Sequence, residues 1–352
     1  MYSNMNYIKN KNKNKNKNKE DVKIINLKNK NIPWIEKYRP RNLKQIISQD
    51  ESINIFNNTL ETGELPHLLL YGGPGTGKTS SILALCNELF GPVRINERVL
   101  ELNASDERGI NIVRGKIINF SKISIGTKDP NYKCPPYKII ILDEADAMTK
   151  EAQAALRKVM EENSNITRFC FICNYINQII EPINSRCVKI RFKPISNNSI
   201  FKKLKEISVN ENINILDKAI NIISKISNGD LRKSILLLQN LKYIDKKNID
   251  DNDIYNICNY ITSDKINIYI EQLKNNNINN IINVTKNIIN NGYIFNSIIN
   301  ELIIYITNSN IKDNIKAKFL FEISNIEKNI NEGADEYIQL LKILNNISNI
   351  LT

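Results

Sequence analysis

The chain holds 352 residues, 41% hydrophobic and 24% charged, with 49 Lys and Arg against 37 Asp and Glu, six cysteines and one histidine. This describes a soluble chain of two or three ordinary domains, and the absence of any run approaching ~18 apolar residues excludes a membrane span. A single histidine excludes a multi-histidine metal site and leaves little room for a Ser-His-Asp triad. Six cysteines with no secretory signal before them exclude a disulfide framework, so a reducing compartment is expected.

The net charge of +12 is unevenly spread. Residues 1–30 carry nine Lys and two acids, residues 31–195 carry 22 basic and 18 acidic residues, and residues 196–352 carry 18 and 17. Most of the basicity is therefore a tail. Its KNKNKNKNKNK run at 9–19 has no apolar period, cannot bury a core and reads as disordered over 1–30. The modest surplus on the remainder favours an anionic partner.

Proline and glycine divide the rest of the chain. All ten prolines fall between Pro33 and Pro194, and nine of the twelve glycines fall between Gly63 and Gly126. Beyond Pro194 there is no proline, and only Gly229, Gly292 and Gly333 interrupt a helical composition. In the first part, His67–Tyr71, Val99–Asn103, Lys138–Leu142 and Phe169–Cys173 read as buried strands. Val188–Phe192 alternates as a half-exposed edge strand should. Helical patterns separate them, among them Thr149–Glu162 with Thr149 as N-cap. Alternating strand and helix predicts a parallel sheet covered on both faces, with a ligand at the carboxyl ends of the strands.

Gly72-Gly73-Pro74-Gly75-Thr76-Gly77-Lys78-Thr79 satisfies G-x-x-x-x-G-K-[ST] between a strand and an apolar helix opening at Ser80. Glycines there let backbone N–H groups turn inward around phosphate oxygens at a helix N-terminus. Lys78 would reach the β- and γ-phosphates, and the Thr79 hydroxyl would ligate magnesium. KIIILDEAD at 138–146 is a buried strand with Asp143 where it emerges. Asp143 would hold the magnesium, and Glu144 would orient and deprotonate an attacking water. Asn174 ends the next strand within reach of a γ-phosphate or water. Arg186, in Ser185-Arg186-Cys187, precedes the edge strand; it either pairs with a surface acid or reaches a neighbouring protomer's nucleotide. Gly229-Asp230-Leu231-Arg232 opens a helix whose apolar stripe holds Leu231, Ile235 and Leu238, leaving Arg232 about 100° away.

Together with PWIEKYRP at 33–40 and LNASDERG at 102–109, these motifs, in this order and spacing, resemble the small subunits of replication factor C, the clamp loaders among AAA+ ATPases. Among these, SDERG and CPPYKIIILDEAD are most similar to the type called subunit 4 in animals. The resemblance is dense over about 31–240 and continues weakly to the C-terminus. It implies an AAA+ domain at 31–194 with a five-stranded parallel sheet, a helical lid at 195–250 and an all-α collar at 251–352. It implies that Tyr38 and Arg39, with the main chain near Ile35, flank the bound adenine nucleotide. Asn174 and Arg232 then become sensors, and Arg186 a finger acting in trans on the adjacent subunit's ATP. ATP and magnesium as ligands, a nuclear hetero-pentamer, a sliding clamp and primer-template DNA as partners, and no membrane, all follow from the same resemblance. A non-hydrolysing nucleotide-sensing scaffold and a branch-migration helicase are the rival readings. The intact Lys78, Thr79, Asp143, Glu144 and Arg186 oppose the first, and PWIEKYRP and SRC oppose the second.

DNA contact rests on helical rows. Lys150, Gln153 and Arg157 share a row opposite Ala152, Ala155, Leu156 and Val159, and Asn111 and Arg114 share another. In clamp loaders these helices track duplex phosphates, which gives affinity without base specificity. Family position points to Ile117–Phe120 for clamp contact. Cys170 and Cys173 form a lone CxxC on a strand, where i and i+3 face opposite ways, so these cysteines and Cys187 read as core.

Overall fold

The computed structural model describes residues 32–105, 110–123, 129–243, 249–274 and 277–351, with the side chains of 110–114 and Leu351 excepted. The Lys/Asn tail and most of the SDERG motif lie outside the described residues. The chain forms two compact units: one runs to Ile213 and resumes over Ile220–Asp245, and the other combines Asn214–Ala219 with Lys246–Thr352.

The first unit opens with a single helical turn, α1 (Trp34–Lys37), followed by α2 (Asp50–Thr62). Five parallel strands come next, β1 (Leu68–Gly72), β2 (Val99–Asn103), β3 (Lys138–Asp143), β4 (Thr167–Cys173) and β5 (Val188–Phe192), in the spatial order β2-β3-β4-β1-β5. Between them lie α3 (Lys78–Arg98), α4 (Ile110–Lys122), α5 (Lys150–Asn163) and the short α6 (Glu181–Asn184). Strand parity explains the two-sided core. Leu68, Leu70, Ile139, Ile141, Cys170 and Ile172 pack on one face with Phe56 of α2 and Ile82, Leu85 and Leu89 of α3. Leu69, Ile140, Leu142, Phe169, Phe171 and Cys173 pack on the other with Ile117 of α4 and Leu156, Val159 and Met160 of α5. Each such side chain contributes about 1.5–3 kcal/mol on burial. Cys170 and Cys173 therefore belong to opposite faces, as their spacing requires. Among the described residues β5 pairs only with β1, and it alternates exposed Lys189 and Arg191 with buried Ile190 and Phe192, the charged edge that discourages strand addition.

Several elements carry their own start and stop signals. The Thr149 hydroxyl accepts from Ala152 N at the start of α5. Inside α3, Gly91 breaks the helix before Pro92 with φ +72°, and a Cβ there would fall 2.4 Å from the Tyr132 ring. After β5 come α7 (Asn197–Asn210), α8 (Asp217–Ile226) and α9 (Leu231–Leu241).

The second unit carries α10 (Asp251–Ile257), α11 (Ser263–Leu273), α12 (Ile278–Asn290), α13 (Phe295–Asn308), α14 (Asp313–Asn331) and α15 (Glu336–Leu351). Isoleucine at helical spacing fills its core: Ile270, Ile288, Ile299, Ile326 and Ile347 are buried around Leu302 and Leu344. Asp250 and Asp253 cap α10 reciprocally, and Ser348 of α15 donates to the Leu273 carbonyl at 2.8 Å, fastening it to α11.

Candidate nucleotide site

β1 delivers the glycine-rich loop to the carboxyl edge of the sheet. Gly72 must lack a side chain: its φ is +145°, and a Cβ would fall 2.2 Å from the Phe192 carbonyl oxygen. Gly75 (φ +65°) and Gly77 (φ +96°) then turn the chain into the first turn of α3. Free backbone N–H groups at that helix start, together with the helix dipole, form an anion cradle. The Thr76 hydroxyl donates to the Gly73 carbonyl at 2.9 Å and braces the loop. Gln49 ties it to the sheet edge, its amide donating to the Thr76 carbonyl at 3.5 Å and the Lys193 carbonyl at 2.8 Å and accepting from Lys193 N at 3.2 Å.

Lys78 folds back over the loop. Its Nζ lies 2.8 Å from the carbonyls of Gly72 and Gly73 and 2.9 Å from Asn174 Oδ1. Burial pushes its pKa below the ordinary lysine value, and the nearby Asp143 carboxylate partly opposes this. At the next strand end, the Thr79 hydroxyl donates to Asp143 Oδ2 at 2.6 Å. Glu144 follows in the left-handed region at φ +53°, a conformation non-glycine residues rarely adopt, and it lines the cleft. Asp146 accepts from the backbone N–H groups of Asn174 (3.0 Å) and Tyr175 (3.1 Å), which fixes the end of β4 and aims Asn174 at Lys78.

The start of α9 closes directly on the loop. Leu231 N donates to the Gly75 carbonyl at 3.2 Å. Asp230 caps α9 by accepting from Lys233 N at 2.9 Å, and its carboxylate occupies the space a Cβ on Gly75 would take. Gly229, at φ +84°, lies where a Cβ would come 2.5 Å from Pro194 Cβ. The resulting cleft has about 1160 Å³ of empty space, counting its open mouth. Pro74, Gly75, Thr76, Gly77, Lys78, Thr79, Ser80, Asp143, Glu144, Asn174 and Arg232 line it, as do Ile35, Tyr38 and Arg39. Gly72 and Gly73 contribute through their carbonyls on Lys78.

The cleft also draws on residues that motif reading missed. Gln45, Ile46, Ile47 and Ile195 line it too, as do Lys203 of α7 and Leu231 and Ile235 of α9. The signal available was the Ile46-Ile47 pair just before the α2 start, with no recognisable pattern around it.

The donor set fits a triphosphate and a divalent ion. The glycine loop at a helix start and the Lys78 ammonium line the same space, and a neutral hydroxyl stands beside a carboxylate as two hard oxygen ligands. Arg186 lies elsewhere. Its side chain is 40% exposed, and its guanidinium is paired with Glu161 Oε1 at 2.6 Å and donates to the Pro182 carbonyl at 2.8 Å.

On α5 the structure corrects one reading. Gln153 is 1% exposed; its amide donates to the carbonyls of Met148 (3.3 Å) and Gln178 (3.0 Å) and accepts from Ile180 N at 2.8 Å. The buried stripe of α5 runs Ala152, Gln153, Leu156, Val159, Met160, so Gln153 belongs to the core side of its row and is unavailable to a phosphate. Lys150 is exposed, and Arg157 is half-buried beside Glu161 at 3.5 Å. Asn111 and Arg114 have side chains outside the described residues. Within Ile117–Phe120, Ile117 is buried, Phe120 carries the Lys138 ammonium 4.8 Å over its ring, and Asn119 is exposed.

Comparison with known proteins agrees over about nine-tenths of the chain. Residues 68–195 match the model of the ATPase family associated with various cellular activities, and residues 202–242 match an RCF1/5-like AAA+ ATPase lid. Residues 261–345 match the replication factor C C-terminal domain. Replication factor C subunit 2 of Schizosaccharomyces pombe is 42% identical over 321 residues, covering 91% of this chain and 94% of that protein. Replication factor C subunit 4 of Homo sapiens is 43% identical over 320 residues, covering 90% and 88%. A solved RuvB variant from Thermotoga maritima shares the fold at TM-score 0.51 and 18% identity, covering 64% of this chain and 74% of that one. A glycine loop, an acid pair and the start of α9 converge on one cleft, residues 261–345 match the replication factor C C-terminal domain, and the chain belongs to the replication factor C small-subunit family of AAA+ ATPases.

Proposed function

We propose that this chain binds and hydrolyses ATP in the cleft under its lid and that, as one subunit of a nuclear hetero-pentamer, it loads a sliding clamp onto primer-template DNA. The observation that carries the reading is the convergence of Lys78 on Asn174 and of Thr79 on Asp143 at the carboxyl edge of the sheet. In this reading 31–194 is the nucleotide-binding domain, 195–250 the lid and 251–352 the collar that holds the ring.

The chemistry is in-line attack of water on the γ-phosphorus. Glu144 takes the water's proton as the new P–O bond forms, and the bond to the β–γ bridging oxygen breaks to release ADP. The loop N–H groups and Lys78 hold the phosphates. Asn174 orients the γ-phosphate end, and Arg232 reaches the phosphates from the lid. Ile35, Tyr38 and Arg39 flank the base end. Thr79 and Asp143 would hold a magnesium ion, which supplies charge neutralisation on the phosphates. Arg186 serves the neighbouring subunit's ATP, and Lys150, Arg157 and Arg114 contact duplex phosphates without reading sequence.

The test is ATP turnover by the reconstituted assembly with and without clamp and primed DNA. Glu144→Gln is expected to retain nucleotide binding and nearly abolish turnover; unchanged turnover removes Glu144 from this role.

A further inference from the structure

One buried carboxylate helps fasten the base-end wall of the cleft to the lid. Glu211 caps the C-terminus of α7, and its side chain is only 7% exposed. It accepts hydrogen bonds from Lys37 Nζ, from Tyr38 Oη at 2.8 Å, and from Lys242 Nζ at 3.0 Å just past the end of α9. Burial alone would raise its pKa, but these three donors hold it below the usual carboxylate value, so it is an anion at neutral pH. Lys242 also sits 5.2 Å over the ring of Trp34, whose backbone N donates to Gln239 Oε1 of α9 at 3.1 Å. Trp34 meets Tyr38 edge-on at 6.4 Å. The polar ties of Trp34, Lys37 and Tyr38 thus run to α7 and α9, the helices that also bring Lys203 and Arg232 to the cleft.

We propose that Glu211 is a positioning residue for nucleotide binding, joining the Trp34–Arg39 segment to the lid so that the base-end wall and Arg232 seat on a nucleotide as one piece. The proposal rests on the reading of Ile35, Tyr38 and Arg39 as the base-end wall. Removing the carboxylate loosens the segment, leaving the Trp34 N–Gln239 bond and the Lys242–Trp34 contact as its polar ties to the lid, and nucleotide binding must then order it.

The chain has one tryptophan, and it lies in this junction, so Trp34 emission reports the segment directly. The experiment uses the full-length chain, a fluorescent ADP analogue and a non-hydrolysable ATP analogue. In the wild-type chain nucleotide shifts Trp34 emission. Glu211→Ala is expected to weaken both nucleotides about tenfold and to uncouple Trp34 emission from binding, whereas Glu211→Gln, which keeps an acceptor for Tyr38, recovers most of the affinity. In the assembly the same alanine variant raises KM and leaves kcat within about twofold, a split that lost stability alone does not produce. The double variant Lys37→Met/Lys242→Met removes the ties from their exposed side and is expected to act in the same direction, which covers a Glu211→Ala chain that fails to fold. Wild-type affinity and an unchanged Trp34 response in the variants would overturn the role of Glu211 while leaving the cleft reading intact. Nucleotide binding that survives Lys78→Ala would instead overturn the cleft reading, and the proposal with it.

Discussion

Close packing at single residues decides how the loop works, and two neighbouring glycines separate space from conformation. Gly75 has φ +65° and would place a Cβ 1.7 Å from Asp230 Oδ1, whereas a Cβ on Gly73 meets nothing nearer than Thr76 Cγ2 at 4.0 Å. Gly75→Ala must therefore push away the cap of α9 and its bond to the loop, and we expect nucleotide affinity to fall more than tenfold with a lowered Tm (about 1–3 kcal/mol). Gly73→Ala is expected to leave Tm within a degree or two, and calorimetry of both variants checks the contrast. His67 offers a second, independent reading at this scale. Its Nδ1 accepts from Phe169 N at 3.1 Å, and burial, then the Arg168 charge, push its pKa below the ordinary 6.5. A base with a depressed folded pKa binds its proton more readily in the unfolded chain. Its contribution to stability is therefore complete above 6.5 and declines as pH falls through that value toward the folded pKa, at up to about 1.4 kcal/mol per pH unit. As the chain's only histidine, it gives a single imidazole titration by NMR, expected with a midpoint under 6.5. The stability difference between wild type and His67→Asn should vary between about pH 7.5 and about pH 5; a flat difference would contradict the assignment.

At the scale of elements, α5 shows what periodicity conveys and what it hides. Its span and its Thr149 cap follow from local chemistry, because a side-chain oxygen before a helix start satisfies a backbone N–H there whatever the rest of the fold does. Gln153 does not follow, because a polar residue beside an apolar stripe reads as solvated unless its distant partners are known. Those partners, the Gln178 carbonyl and Ile180 N, lie 25 and 27 residues away. Gln153→Leu keeps the volume but strands three backbone groups, so we expect a loss of about 2–4 kcal/mol, measured by denaturant unfolding of the full chain, whereas an exposed residue at this position would cost nothing measurable. The same distinction runs through the site. GGPGTGKT and DE were legible because phosphate chemistry demands those types in consecutive positions. Glu211 was not, because it meets Lys37 and Tyr38 across 174 and 173 residues and no local pattern marks it. Ile46 and Ile47 carry no such signal, because two isoleucines before a helix are ordinary core residues until a cleft is seen beside them.

At the scale of the whole molecule, the role in trans proposed for Arg186 sets a specific expectation. Arg186 stands at the surface between α6 and β5, and Glu161 accepts from it while also facing Arg157. Pairs this exposed are worth about 0–1 kcal/mol, so in the proposed reading Glu161 would hold the guanidinium in place at little cost to its release toward a nucleotide presented by another subunit. An arginine supplied in this way stabilises charge on the transferring phosphoryl group and is worth roughly 10³–10⁵ in rate. Arg186→Ala is accordingly expected to leave the isolated chain's turnover and nucleotide affinity unchanged, and to lower hydrolysis only in the assembly. The loss should fall on the neighbour's site. An assembly in which this chain carries Lys78→Ala, silencing its own cleft, should still lose turnover when Arg186→Ala is added. If the second substitution has no further effect there, or if the isolated chain slows to the same extent, Arg186 acts within its own subunit or only on the surface, and the action in trans is lost.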